Sequence, residues 1–192
     1  MRSHLSIAIR MTLLTAILLG LLYPLAITGV AQVVFPGAAN GSLVKVNGQV
    51  VGSRLIAQDF TQAKYFHPRP SAAGKGYDAM ASAASNLGPT SRALIDQVSA
   101  AVDQALRQDP GLRRGQVPVD MVTTSGSGLD PDITVANARA QAPRVAVARG
   151  MSLASVLQIV AAHTTGRTFG FLGEPRVNVL QLNLALAAAH GG

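Results

Sequence analysis

The chain has no cysteine, no tryptophan, one glutamate and only 4% aromatic residues among its 192. Each shortage excludes something. Without thiols there is no disulfide and no thiolate metal site, which permits an oxidising compartment. A nucleic-acid binder usually interleaves clustered cations with aromatic rings. Here the 16 basic residues outnumber 9 acidic ones but are dispersed, and Arg113-Arg114 is the only adjacent pair. No nucleic-acid partner is therefore expected; dispersed positive charge suits lipid headgroups or an acidic protein. His4, His67, His163 and His190 lie far apart, and none has metal-ligand spacing with another.

Charge is also missing from one long run, Met11 to Phe35. Twenty-five helical residues span about 37 Å, enough for a bilayer core of roughly 30 Å. Unpaired backbone groups are costly in lipid, so the run is expected to be helical. Pro24 predicts a kink near Gly20 to Pro24. Thr12, Thr15, Thr28 and Gln32 either face a protein partner or bond back to their own helix. Arg2 and Arg10 flank the start, which predicts a cytoplasmic N-terminus and a domain on the other side. Gly29-Val30-Ala31 resembles a cleavage site. The apolar run continues beyond it, so an uncleaved anchor is expected.

After Pro36-Gly37 the chain exits the membrane. Leu43–Val46 and Gln49–Ile56 read as strands joined by an Asn47-Gly48 hairpin turn. Phe60 to Pro89 has little periodicity, with dense patches at Tyr65–Pro70 and Ser85–Pro89. A loop of this length is often functional. Thr90 or Ser91 can cap an amphipathic helix through Ala105, ended by Asp109-Pro110-Gly111. Val117–Thr124 reads as a strand. Asp130-Pro131-Asp132 has the pattern of an N-cap, a first-turn proline and a first-turn acid, predicting a helix from Pro131 to Gln141 that breaks before Pro143. Arg144 to Arg149 then reads as a short turn or helix closed by Gly150. Ser152 caps the next helix, ended by Gly166, and Asn178 caps the last. The expected fold is α+β: one N-terminal transmembrane helix, then one helix-rich α+β soluble domain with a β-hairpin. The domains are 1–36, a cytoplasmic tip and anchor, and 37–192, extracytoplasmic.

The only phosphate-like feature is Ser125-Gly126-Ser127-Gly128, because N–H groups in such turns can cradle phosphate. No Gly-Lys-Ser or Gly-Lys-Thr follows, so it is not a P-loop. The competing reading is a cap and turn. Asp130 and Asp132 do not make a metal site without more oxygen ligands. No nucleophile elbow surrounds Ser125 or Ser127, and no Asp-Lys-Thr-Gly occurs. An enzyme working alone is not expected.

Six blocks in order carry a resemblance: Tyr23–Gly29, Arg69–Ala72, Ser85–Thr90, Ser125–Pro131, Arg144–Ala146 with Ala148–Gly150, and Leu172–Leu180 with Leu182–Leu186. Together they resemble the C subunit of the Kdp potassium-transporting ATPase over nearly the whole chain. Asp132 departs from the family, which often has His there. Ser82-Ala83-Ala84 replaces a more Gly-rich run.

The resemblance implies a non-catalytic subunit of a bacterial inner-membrane complex that imports K⁺ at the expense of ATP. Its partners would be a channel-like A subunit, an ATP-hydrolysing B subunit and a small F subunit, within the lipid bilayer. It implies a catalytic chaperone that raises the B subunit's affinity for ATP. ATP and Mg²⁺ would be used by the complex, with no cofactor or metal held by this chain. Nucleotide candidates are Ser125, Gly126, Ser127, Gly128 and Gln141. Docking candidates are Tyr23, Pro24, Thr28, Arg69, Asn86, Glu174 and Arg176. Charge pattern puts the domain outside, away from ATP, so docking on the A subunit's outward face with an allosteric effect is the expected mechanism. The alternatives are an anchored periplasmic enzyme, which needs an acid–base set the sequence lacks, and a pilin-like assembly protein. The latter usually carries an acid early in its helix, and Met11–Phe35 has none.

Overall fold

The computed structural model describes residues 2–190. The side chains of Arg2, Ser3 and His190, and with them the Arg2 flank of the anchor, lie outside the described set. The chain divides into two compact units between Val51 and Gly52.

In the first unit, His4–Val34 forms a 31-residue helical stretch long and apolar enough to cross a membrane, with no part of its apolar window buried by protein. It lies within a continuous run of α1 (Arg2–Ile17), a π-helical turn (Leu18–Leu22) and α2 (Tyr23–Val34). The Tyr23 N–H donates to the Leu18 carbonyl, five residues back. The wider turn falls just ahead of Pro24, whose ring would crowd the carbonyl four residues back in an ordinary α-turn. Thr15 bonds back to the Met11 carbonyl at 2.8 Å. Gln32 instead receives the Asn40 amide at 3.0 Å, across the break at Phe35. A short α3 (Pro36–Ala39) leads to the hairpin of β1 (Leu43–Val46) and β2 (Gln49–Ser53). Asn47 and Gly48 have φ of 51° and 81°, as a two-residue turn between twisted strands requires.

The second unit begins with a long irregular loop up to Ser91. Then come α4 (Arg92–Gln108), α5 (Val119–Val122), β3 (Asp132–Thr134), α6 (Val135–Arg149), α7 (Leu153–Ala162), β4 (Thr164–Thr165), β5 (Arg176–Asn178) and α8 (Val179–His190). The antiparallel sheet runs β3-β5-β4, with Ile133 opposite Val177. Both are buried, beside Phe66, Ala138, Ala142, Val145, Val156, Val160, Leu182 and Leu186. Ser152 and Asn178 cap as expected, accepting from the Ser155 and Gln181 amides, each at 3.1 Å.

Three expectations fail, for identifiable reasons. The helix expected from Pro131 begins at Val135, because Asp132–Thr134 pairs with β5 and the Pro131 carbonyl accepts the Val179 N–H at 3.0 Å. Thr134, not Asp130, is the cap, its Oγ1 accepting from the Asn137 N–H at 3.1 Å. Neither does the helix break at Pro143: it continues to Arg149 with Pro143 inside. Arg139 and Pro143 are both exposed, so the carbonyl that proline leaves without a donor lies on the solvent side. The Arg144–Arg149 segment is the end of this same helix. Val117–Thr124 contains the short helix α5 rather than a strand. Thr123 Oγ1 closes that turn on the Val119 carbonyl at 2.7 Å, and its Asp120 is buried. A smaller difference is that α7 stops at Ala162, because Thr164 already pairs with Val177.

Candidate functional site: a long loop clamped onto a polar helix face

Ala138, Ala142, Val145 and Ala146 of α6 enter the apolar core. Thr134, Asn137, Gln141 and Arg144, spaced three and four residues apart, form a polar stripe on the same helix. Asp120 of α5 fixes its start. One carboxylate oxygen accepts from the Thr134 N–H at 2.8 Å and from Asn137 Nδ2 at 3.0 Å. The other accepts from the Thr134 hydroxyl at 3.0 Å.

Gln141, 1% exposed, is the hub. Its Oε1 accepts from the His67 N–H and from Arg144 Nη2, both at 2.7 Å. Its Nε2 donates to the His67 carbonyl at 3.0 Å and to Asn137 Oδ1 at 2.8 Å. A carboxamide offers two donor hydrogens and two acceptor positions, and all four are engaged. Asn183 of α8 treats Phe66 in the same way, accepting its N–H at 2.8 Å and donating to its carbonyl at 2.9 Å. Arg144 Nη1 reaches the Ala63 and Tyr65 carbonyls at 2.6 and 2.9 Å, and Arg149 Nε reaches that of Lys64 at 2.7 Å. Residues 63–67 are thus each held through the backbone.

Asp109 and His67 are among the ionisable groups of this clamp. Asp109 pairs with Arg144 Nε at 2.8 Å, both side chains almost wholly buried. Burial raises the Asp109 carboxyl above its ordinary range, and the Arg144 charge offsets part of that rise. Among the described residues its Oδ2 has no hydrogen-bond partner. His67 is lowered by burial and then by the Arg144 charge.

The Ser125–Gly128 turn holds a later part of the loop. The Ser127 carbonyl accepts from the Ala83 N–H at 3.0 Å and from the Ser82 hydroxyl at 2.9 Å, while its Oγ accepts from the Leu129 N–H at 3.1 Å. Gly128 has φ of 67°, and a Cβ there would lie 2.4 Å from the Ala83 carbonyl oxygen and 2.8 Å from the Ala73 nitrogen. Only glycine fits such an approach. Arg69 links loop and turn, donating to Asp130 at 3.2 Å and to the Thr124 carbonyl at 3.0 Å. The Tyr77 hydroxyl closes on the Arg69 carbonyl at 2.9 Å, and burial pushes its phenol up to about 12.

The structure therefore joins Arg69, Ser127, Gly128 and Gln141 through one loop. Both donor hydrogens of Gln141 are engaged, and within the Ser125–Gly128 turn Gly126 and Ser127 are exposed while Ser125 and Gly128 are buried. Asn86 is exposed on the loop with φ of 52°. Glu174 takes Arg167 Nη2 on both oxygens at 2.8 Å. Arg176 pairs with Asp132 at 2.9 Å, so Asp132 is a strand-pairing partner. Tyr23, Pro24 and Thr28 lie on α2 in the first unit, all exposed. Sequence reasoning missed Asp109, Asp120, Asn137 and Asn183. Their partners are distant in the chain; the Asn137–Gln141 spacing was the one local signal. Two clefts flank the clamp. One, of about 340 Å³, is lined by Asp59, His67, Tyr77 and Gln104. The other, of about 440 Å³, is lined by Pro110, Pro143 and Val147. No group of three His, Asp or Glu among the described residues is placed to hold a metal.

Comparison with known proteins agrees with a membrane-anchored transport subunit. The family described as "KdpC: K+-transporting ATPase, c chain" matches residues 5–188. The "Potassium-transporting ATPase KdpC subunit" of Myxococcus xanthus is 58% identical over 96% of this chain and 87% of its own length. Those of Acidobacterium capsulatum and Koribacter versatilis are 56% and 55% identical, covering 98% and 97% of this chain and 100% and 95% of their own. The chain belongs to the family of C subunits of the K⁺-transporting ATPase.

Proposed function

We propose that this chain is the non-catalytic accessory subunit of a bacterial inner-membrane complex for ATP-driven K⁺ uptake. Its N-terminus is cytoplasmic, the chain leaves the bilayer at Pro36-Gly37, and the soluble domain lies outside. The domain docks on the outward face of the channel-like A subunit, within a complex completed by the ATP-hydrolysing B subunit and the small F subunit. It stabilises the assembly and raises the B subunit's affinity for ATP as a catalytic chaperone. ATP and Mg²⁺ act on the B subunit, and the effect of this chain reaches them through its partners.

One observation carries the reading: the buried polar side chains are spent on fixing the long loop. A loop held at five consecutive residues is a pre-formed surface, which loses little entropy when a partner covers it. Gln141, committed in this way, has no donor left over for a nucleotide. Tyr23, Pro24 and Thr28 on the anchor, and Arg69, Asn86, Glu174 and Arg176 on the domain, are the docking candidates. Arg10 ahead of an uncharged run supports the orientation.

Topology is the test. The chain lacks cysteine, so Ser3→Cys and Ser127→Cys each provide a unique thiol. In intact cells with an opened outer membrane, a reagent that cannot cross the inner membrane is expected to label Ser127→Cys and spare Ser3→Cys. The reverse pattern would put the Gly-rich turn beside the nucleotide and overturn the proposal.

A further inference from the structure

The connection from β4 to β5 carries a feature that neither the loop clamp nor the docking candidates use. Its tip is Phe169-Gly170-Phe171-Leu172-Gly173, five residues with no polar side chain. Phe169 is 83% exposed, Phe171 69% and Leu172 49%. The tip is nonetheless built rather than loose. Thr168 and Leu172 exchange backbone bonds in both directions at 2.9 Å, and the Gly170 and Phe171 N–H groups turn inward onto the Arg167 and Thr168 carbonyls at 3.1 and 3.3 Å. The Arg167–Glu174 pair closes its base. Phe169 holds φ of 53°, a costly conformation for a bulky residue, and in it remains almost wholly outside the protein.

We propose that this tip inserts into the headgroup–acyl boundary of the bilayer, as a second membrane contact of the soluble domain. Four arguments favour lipid over a protein partner. Protein interfaces mix apolar contact with a hydrogen bond per roughly 100–200 Å², and this tip offers no side chain that could make one. Its backbone N–H groups at Thr168, Gly170, Phe171 and Leu172 are already paired, which lowers the cost of drawing the tip out of bulk water. The same chain carries a helix long and apolar enough to cross a membrane, which tethers the domain to the bilayer and raises its effective concentration there. Finally, residues 52–192 carry thirteen basic and nine acidic side chains, a balance that favours anionic headgroups.

A nitroxide on the Phe171→Cys variant of the full chain tests this in bilayers of phosphatidylethanolamine and phosphatidylglycerol. The position is exposed, so the core is untouched. Collisions with oxygen, which partitions into lipid, are expected to exceed those with a water-soluble nickel chelate. A label at Met80→Cys, where Met80 is 97% exposed, is expected to show the opposite order. Leu172→Cys provides a second position and should follow Phe171→Cys. The order must persist when the labelled chain is assembled with the other subunits. Dominance of the nickel chelate at both tip positions would leave the tip in water and overturn the proposal. Loss of both kinds of collision on assembly would bury it against a protein subunit and overturn it equally. Neither result bears on the orientation tested with Ser3 and Ser127.

Discussion

Replacing Gln141 by alanine separates a structural hub from a nucleotide ligand. Four hydrogen bonds of 2.7 to 3.0 Å disappear. A buried polar group left unpaired costs about 1–3 kcal/mol. Asn137 is fully buried, so its Oδ1 bears that cost in full. His67 is half-buried, and water can serve part of its exposed backbone. Arg144 keeps its bonds to Asp109, Ala63 and Tyr65. The expected loss is about 3–5 kcal/mol. At roughly 2–4 °C per kcal/mol for a domain of this size, Tm should fall by about 6–20 °C. The assay is thermal unfolding of the full chain in detergent, followed by near-ultraviolet circular dichroism. The apparent ATP affinity of the assembled complex is measured alongside, well below the variant's Tm. An unchanged Tm with a lost effect on ATP would refute the reasoning and make Gln141 a nucleotide contact.

Two further outcomes are expected. Gly128→Ala places a methyl against the Ala83 carbonyl at a positive φ, and should cost about 2–4 kcal/mol. The loop should become sensitive to protease between residues 72 and 84; an uncut loop would contradict the close approach. His67 has a depressed pKa in the fold, so it contributes stability above its unfolded value near 6.5 that is lost as pH falls through the folded value. Melts at pH 7.5 and 5 should show a larger fall for the parent chain than for His67→Gln, and equal falls would refute the assignment.

Much of the fold was legible where local chemistry decides structure. The uncharged run, the Asn47-Gly48 turn, the Ser152 and Asn178 caps and the amphipathic α4 each follow from neighbours in sequence. The start of α6 was not legible. Asp130-Pro131-Asp132 is a sound local helix signal, but three residues of β5, more than forty positions later, draw Asp132–Thr134 into a sheet. Strands of two or three residues have no periodicity to betray them. Proline usually breaks a helix, but Pro143 is tolerated because the Arg139 carbonyl that it leaves without a donor lies on the solvent side. The clamp was the least legible part. Gln141 and Asn183 look like ordinary polar residues on helices, and what they hold is backbone 74 and 117 residues away. The density of Tyr65–Pro70 hinted that this segment is anchored, without saying by what.

Gln141 and Asn183 each read both the N–H and the carbonyl of one loop residue, as a neighbouring strand would. The loop is thus paired without belonging to a sheet, and two single side chains do the work of an edge. Carboxamides neither gain nor lose protons across the physiological range. The grip on Phe66 and His67 is therefore indifferent to acidity even though the imidazole between its jaws is not. Aspartate or glutamate, identical in outline, would keep the acceptors and lose the donors. At Phe66 and His67 the backbone of the loop is held by groups that no change of pH can release.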